Sequence, residues 1–242
     1  MATTFFRKEV WYNFSMQNIS KLTGRQFPAG IVYHVLNRAN ARVPIFQTDT
    51  DYQLFEHTLF ESLEQSGMPV LAFLIMPNHW HLVLYPTEDG SLSQFMSWLT
   101  NTHVKRWQTS HQTVGMGHLY QNSFKAFPVQ TDSYCLNLIR YVESNALRAR
   151  MVDHAEKWRW SSLWIREFGT PHQKKMLSEW PIEYPDDYIS FVNEPISKNV
   201  IEELRDSARR GKPFGEDDWT DRTARQLNIS LRRQGRPRKD KM

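Results

Sequence analysis

Two strand-length apolar runs joined by Pro77-Asn78 constrain this chain more than any other feature. Val70–Met76 is apolar throughout and ends in a Pro-Asn turn; a second strand-like run then begins at His79. Successive side chains on a strand point to opposite faces, so His79 and His81 project together while Trp80, Leu82 and Leu84 project the other way. Two imidazoles held side by side on a buried strand suit a pair of metal ligands that lacks its remaining partners. The competing reading is a histidine pair that merely lines a core or an interface.

Length and composition narrow the surroundings of that hairpin. At 242 residues, 40% hydrophobic with nine Trp and fourteen Phe, the chain is a folded protein with one sizeable core plus extensions, or two small domains. Val70–Met76 is the longest apolar stretch, far too short to span a membrane, and no secretory signal is evident near Arg7–Glu9. The single Cys135 excludes an internal disulfide, which suits a reducing cytoplasm. The net charge of +4 is a property of the tail. Residues 231–242 hold six Lys/Arg and one Asp, and without them 24 basic residues face 25 acidic ones. Gly235-Arg-Pro-Arg238 followed by Lys239 resembles an AT-hook, in which guanidinium groups flanking a proline enter a narrow minor groove. Arg236, Arg238 and Lys239 are therefore candidate DNA contacts, weighed against a merely solvated end.

Elsewhere the pattern alternates between strand and helix. Gly30–Arg38 reads as a first strand. Asp51–Gln65 reads as a helix with Asp49 or Thr50 as N-cap and Gly67 as its stop. Val70–Met76 and His79–Tyr85 are the second and third strands. Ser91 with Gln94 has a capping-box signature and opens a helix to about Trp107. Phe124–Gln130 is a fourth strand, which Pro128 assigns to a sheet edge. Thr131 or Asp132 then caps a helix to about Arg148. This order predicts an α+β fold: a ferredoxin-like antiparallel sheet with helices on one face. Beyond it, Trp158–Leu163 reads as a packed loop, with helices expected over Lys198–Arg210 and Glu216–Leu227. The expected division is an N-terminal extension (1–22), a catalytic domain (23–165), a partly helical extension (166–230) and a basic tail (231–242).

The helix that follows the fourth strand carries the second half of a candidate site. Cys135, Leu138, Ile139, Val142 and Ala146 form its apolar stripe. Tyr134, Asn137, Tyr141, Asn145 and Arg148 fall on a polar one, so Tyr141 and Asn145 stack one turn apart. An amide oxygen at Asn145 is a hard ligand for Mg²⁺ or Mn²⁺ and leaves positions open for phosphate oxygens. Read alone, the same stripe is simply an exposed helix face. Tyr134 is a rival to Tyr141. Lys125 and Arg148 flank the helix as candidate phosphate contacts, Tyr120 and Trp107 as candidate base-stacking rings.

Taken together, Asn37-Arg38, Met76-Pro-Asn-His-Trp-His-Leu-Val83, Gly117-His-Leu-Tyr-Gln121, Phe124-Lys125, Pro128-Val-Gln130 and Arg140-Tyr-Val-Glu-Ser-Asn145 resemble the REP-associated tyrosine transposases. These are single-tyrosine members of the HUH class. Trp160-Ser-Ser162, Pro213-Phe-Gly215 and Gly235-Arg-Pro-Arg-Lys239 resemble them as well, so the likeness spans roughly residues 20 to 240. It implies the HUH endonuclease fold, His79 and His81 as metal ligands, Asn145 as the third ligand and Tyr141 as nucleophile. It also implies a divalent ion, Mg²⁺ or Mn²⁺, and a 5′-phosphotyrosine intermediate on single-stranded DNA at REP-type hairpins. The expected partners are DNA and a possible second copy, with no membrane and no small-molecule cofactor. The expected location is the bacterial cytosol, in association with the nucleoid. A hairpin-binding regulator that no longer cuts is the alternative, and a metallohydrolase is a third.

Overall fold

The computed structural model describes residues 27–231. The N-terminal extension lies outside the described residues, as does the basic tail beyond Leu231 with Arg236, Arg238 and Lys239. Strands β1 (Val32–Arg38), β2 (Val70–Met76), β3 (His79–Leu84) and β4 (Lys125–Val129) form one antiparallel sheet in the order β2-β3-β1-β4. This is the ferredoxin-like α+β arrangement. β4 lies at the edge, as Pro128 requires: with no N–H, proline leaves an interior ladder incomplete. Its carbonyl is used from outside, where Phe214 N–H donates to Pro128 O and Gln130 N–H donates to Phe214 O, both at 2.9 Å.

Helices α1 (Asp49–Ser66) and α2 (Ser91–Ser110) return the chain across one face of the sheet. Phe55, Leu59, Phe95 and Leu99 pack there on Tyr33, Val35, Phe73, Ile75, Trp80 and Leu82. These two helices share one face, as expected. The next helix, α3 (Ser133–Glu143), takes the opposite face, where Leu138, Ile139 and Val142 meet Val32, Ala72, Leu74, Val83 and Phe127.

The helix ends differ from the sequence reading in instructive ways. Thr48, not Asp49 or Thr50, caps α1, and its hydroxyl and the Asp51 carboxylate exchange hydrogen bonds with each other's backbone. Gly67 stops that helix in the left-handed conformation. The capping box expected at Ser91 and Gln94 does not form, because Ser91 already lies within α2. Gly90 occupies the cap, and the Ser91 hydroxyl donates to Glu88 O instead. The helix expected to reach Arg148 breaks at Ser144 into α3 and a single turn, α4 (Asn145–Arg148). There the Ser144 hydroxyl donates to Arg140 O at 2.7 Å and competes with regular helix geometry.

The C-terminal part is built from short helices: α5 (Ser162–Phe168), α6 (Pro171–Lys175), α7 (Tyr188–Asn193), α8 (Lys198–Arg210) and α9 (Asp217–Gln226). Ser161 caps α5, so the loop predicted over Trp158–Leu163 ends at Ser161. Tyr188, Val192, Leu204 and Phe214 pack into the same core as α3, so this extension buries the outer side of the site helix. No helix of the described residues is long and apolar enough to cross a membrane.

Candidate functional site

Strand alternation does what the H-x-H spacing predicts. Trp80 enters the α1/α2 core, while His79 and His81 face α3. Register adds residues that spacing alone does not disclose. His79 lies opposite Arg38 and His81 opposite Leu36, so Arg38 and, one step along β1, His34 share the histidine face. Lys125, opposite Leu36 on β4, lies on that face too, exposed and two strands from His81.

The convergence is completed by α3 and α4. Asn145 Nδ2 lies 3.0 Å from His81 Nε2, and the Tyr141 ring stands edge-on to His81 with centroids 6.4 Å apart. His79 and His81 have ring centroids 5.0 Å apart. His79 Nδ1 is 2.6 Å from Asn78 Oδ1; donating its proton there leaves Nε2 with a free lone pair. All four candidate groups come from one chain. Arg148 folds back over Tyr141, its guanidinium 4.0 Å from the ring centroid and donating to Tyr141 O at 2.7 Å.

The imidazoles are neutral. Burial, followed by the charge of Arg38, pulls His79 down to about 4. Burial also drives His81 well below the ordinary histidine value, with His34, His79, Arg148 and Arg38 adding to the effect, and takes His34 down to about 3. Neutral rings are the metal-ligating form. Among the described residues no group of three or more His, Cys, Asp or Glu is arranged to hold a metal ion, so a third protein ligand here falls to an amide. The Asn145 side chain can meet that need: its nitrogen lies 3.0 Å from His81 Nε2, and a half-turn of the amide presents its oxygen. A donor set of two imidazoles and an amide carries no charge. It leaves a divalent ion's charge for phosphate oxygens, and the residues present fit such an ion.

The other sequence candidates separate clearly. Tyr134, the rival nucleophile, lies edge-on to Phe214 in an acidic cleft; burial and then Glu203, Glu216, Asp132 and Asp217 raise its pKa and oppose a phenolate. Tyr120 is no base-stacking platform. It is buried, accepts from Trp80 Nε1 at 2.9 Å and lies 2.8 Å from His103 Nδ1. Trp107 donates to Ile45 O and stacks on His111.

Two further groups escaped the sequence reading. His34 sat inside an apparently ordinary apolar strand. Glu143, fully buried, accepts from Ser162 Oγ at 2.5 Å and Tyr188 OH at 2.6 Å. Ser162 Oγ also accepts from Phe73 N–H, so Glu143 ties the site helix to β2, α5 and α7. The signal for Glu143 was a carboxylate beside an apolar stripe; its partners, 19 and 45 residues away, left no local trace.

Residues 29–145 match the model of the family described as "Transposase IS200 like". A solved structure of a REP-associated tyrosine transposase bound to a REP hairpin aligns with a TM-score of 0.49 and 16% identity. The alignment covers 74% of this chain and 100% of that one. A protein from Deinococcus radiodurans R1, named as a candidate transposase, aligns with a TM-score of 0.37 and 19% identity, over 53% of this chain and 91% of that one. No curated protein matches.

Proposed function

With residues 29–145 matching the model of the IS200-like transposase family, we propose that this chain nicks and rejoins single-stranded DNA through Tyr141. The observation that carries the reading is the meeting, within one chain, of His81, Asn145 and Tyr141 beside His79.

His79, His81 and Asn145 would hold Mg²⁺ or Mn²⁺, which when bound supplies Lewis-acid polarisation of the scissile phosphate. Tyr141 Oη attacks the phosphorus in line. The Oη–P bond forms, the P–O3′ bond breaks, and the strand ends in a free 3′-hydroxyl while its 5′-phosphate stays on the enzyme. Attack by a 3′-hydroxyl on that phosphotyrosine reverses the exchange and releases the phenol, so rejoining needs no nucleotide cofactor. The guanidinium of Arg148 lies over the Tyr141 ring, and Arg148 is assigned to the attacked phosphate as well. Arg38 and Lys125, on the same face, are assigned to the DNA backbone, and Arg236, Arg238 and Lys239 to duplex flanks. REP-type hairpins as substrate, and action at the nucleoid, rest on the motif resemblance.

The test is direct. Incubating the full chain with hairpin-bearing single-stranded DNA and Mn²⁺ should yield an adduct that survives denaturation. Tyr141→Phe should abolish it while hairpin binding persists, and Tyr134→Phe should retain it. An adduct in Tyr141→Phe reassigns the nucleophile. Nicking without an adduct points to hydrolysis, and tight binding with neither points to a regulator.

A further inference from the structure

His34 is a buried polar group that the proposed reaction leaves unused. Its side chain is 1% exposed, on the central strand β1, beneath both the candidate ligand His81 and the candidate nucleophile Tyr141. The His34 ring meets that of His81 edge to edge, with planes 19° from parallel and centroids 5.0 Å apart, and Nε2 of His34 is 2.8 Å from Nδ1 of His81. Phe127 packs against it at 4.9 Å and Tyr141 at 6.5 Å, both near right angles, so the ring is wedged. Its Nδ1 is buried with no hydrogen-bond partner.

Two ring nitrogens 2.8 Å apart need one proton between them, which leaves two assignments. In the first, His34 Nε2–H donates to His81 Nδ1, and His81 carries its own proton on Nε2, facing Asn145. That form of His81 has no lone pair to offer at the site. In the second, His81 Nδ1–H donates to His34 Nε2, and the His81 Nε2 lone pair points at Asn145 Nδ2, 3.0 Å away. Only the second is compatible with ligation. It consigns the His34 proton to Nδ1, the nitrogen without a partner; in the first assignment that nitrogen is an unpartnered acceptor, so a buried polar ring is kept beside His81 in either case.

We propose that His34 is a positioning residue: by accepting the Nδ1 proton of His81, it orients that ring and keeps its Nε2 lone pair directed at the metal position. The inference rests on the metal-site reading above. Outer partners of ligating histidines commonly act this way, though the usual acceptor is a carboxylate or a carbonyl. A neutral imidazole adds no charge and preserves the uncharged donor set.

Two measurements on the full chain test it. The first is a long-range ¹H–¹⁵N spectrum of histidine-labelled, metal-free protein. Both His34 and His81 should appear as Nδ1–H tautomers; both as Nε2–H would overturn the proposal. The second is Mn²⁺ affinity by titration calorimetry, with melting temperature and metal-free hairpin binding as controls of the fold. His34→Phe fills the space without an acceptor and should weaken Mn²⁺ about 10- to 100-fold. His34→Gln, whose Oε1 can accept the same proton, should restore affinity to within a few-fold of the native chain. Unchanged affinity in His34→Phe, with His81→Ala losing Mn²⁺, removes the role of His34 but keeps the metal site. Unchanged affinity in His81→Ala removes both.

Discussion

The two faces of the sheet each bury histidine, and they treat it differently. On the α1/α2 face, His103 is enclosed by Phe46 and Phe55, and its Nδ1 lies 2.8 Å from the Tyr120 hydroxyl, which itself accepts from Trp80. That imidazole belongs to a packing network with Tyr120 and Trp80, its Nε2 buried without a partner. On the α3 face, His81 has one nitrogen against His34 and the other toward an amide that can turn, beside a half-buried tyrosine. The same strand supplies both environments, since Trp80 points into the first while His79 and His81 point into the second. Burial makes histidine neutral on either side; what separates a structural imidazole from a candidate ligand is a lone pair facing movable polar groups.

The largest effect expected from this contrast is on the α3 face. His81→Ala should lower nicking by roughly a thousandfold, since a bound metal is worth several kcal/mol of charge stabilisation. Hairpin binding measured without metal should hardly change. A variant that nicks at the native rate would make the two faces equivalent. Glu143→Ala comes next and acts on stability. It leaves the Tyr188 hydroxyl without its acceptor and Ser162 Oγ with Phe73 O alone, and should cost about 1–3 kcal/mol in denaturant unfolding. Arg148→Gln removes the cation from the Tyr141 ring and should slow adduct formation about tenfold.

Tyr120→Phe, on the packing face, should cost about 1 kcal/mol of stability and leave nicking alone. Acid provides the finest test. Burial lowers His103 to about 3, so between pH 6.5 and that value the unfolded chain takes up a proton that the folded one refuses. Stability from this group is complete above about 6.5 and is lost as pH falls. His103→Phe should therefore compare better with the native chain at pH 5 than at pH 8 in melting temperature. Equal differences at both pH values would place His103 outside that network.

The regular elements were legible because they rest on local rules. The unbroken apolar run Val70–Met76, the alternating faces of His79–Leu84 and the 3.6-residue apolar stripe from Cys135 to Ala146 need no distant partner to be recognised. Caps were less legible. Ser91 and Gln94 have the right spacing, but Gly90 in a left-handed conformation starts α2 one residue sooner. The break at Ser144 depends on which acceptor a hydroxyl finds, and a stripe of side chains is blind to that.

Pattern alone determined that this chain would fold as an antiparallel sheet with crossing helices, that His79 and His81 would share a face, and that Tyr141 and Asn145 would stack on one helix. These follow from the repeat geometry of strand and helix. Only the tertiary structure decided that α3 would cross to the histidine side of the sheet. The same packing set His34 against His81, turned Arg148 onto Tyr141 and sealed Glu143 beneath the site helix. Those outcomes depend on strand register and on contacts between distant segments, such as Phe73 and Ser162, 89 residues apart. No periodicity encodes such contacts, because they are chosen when the whole core packs at once.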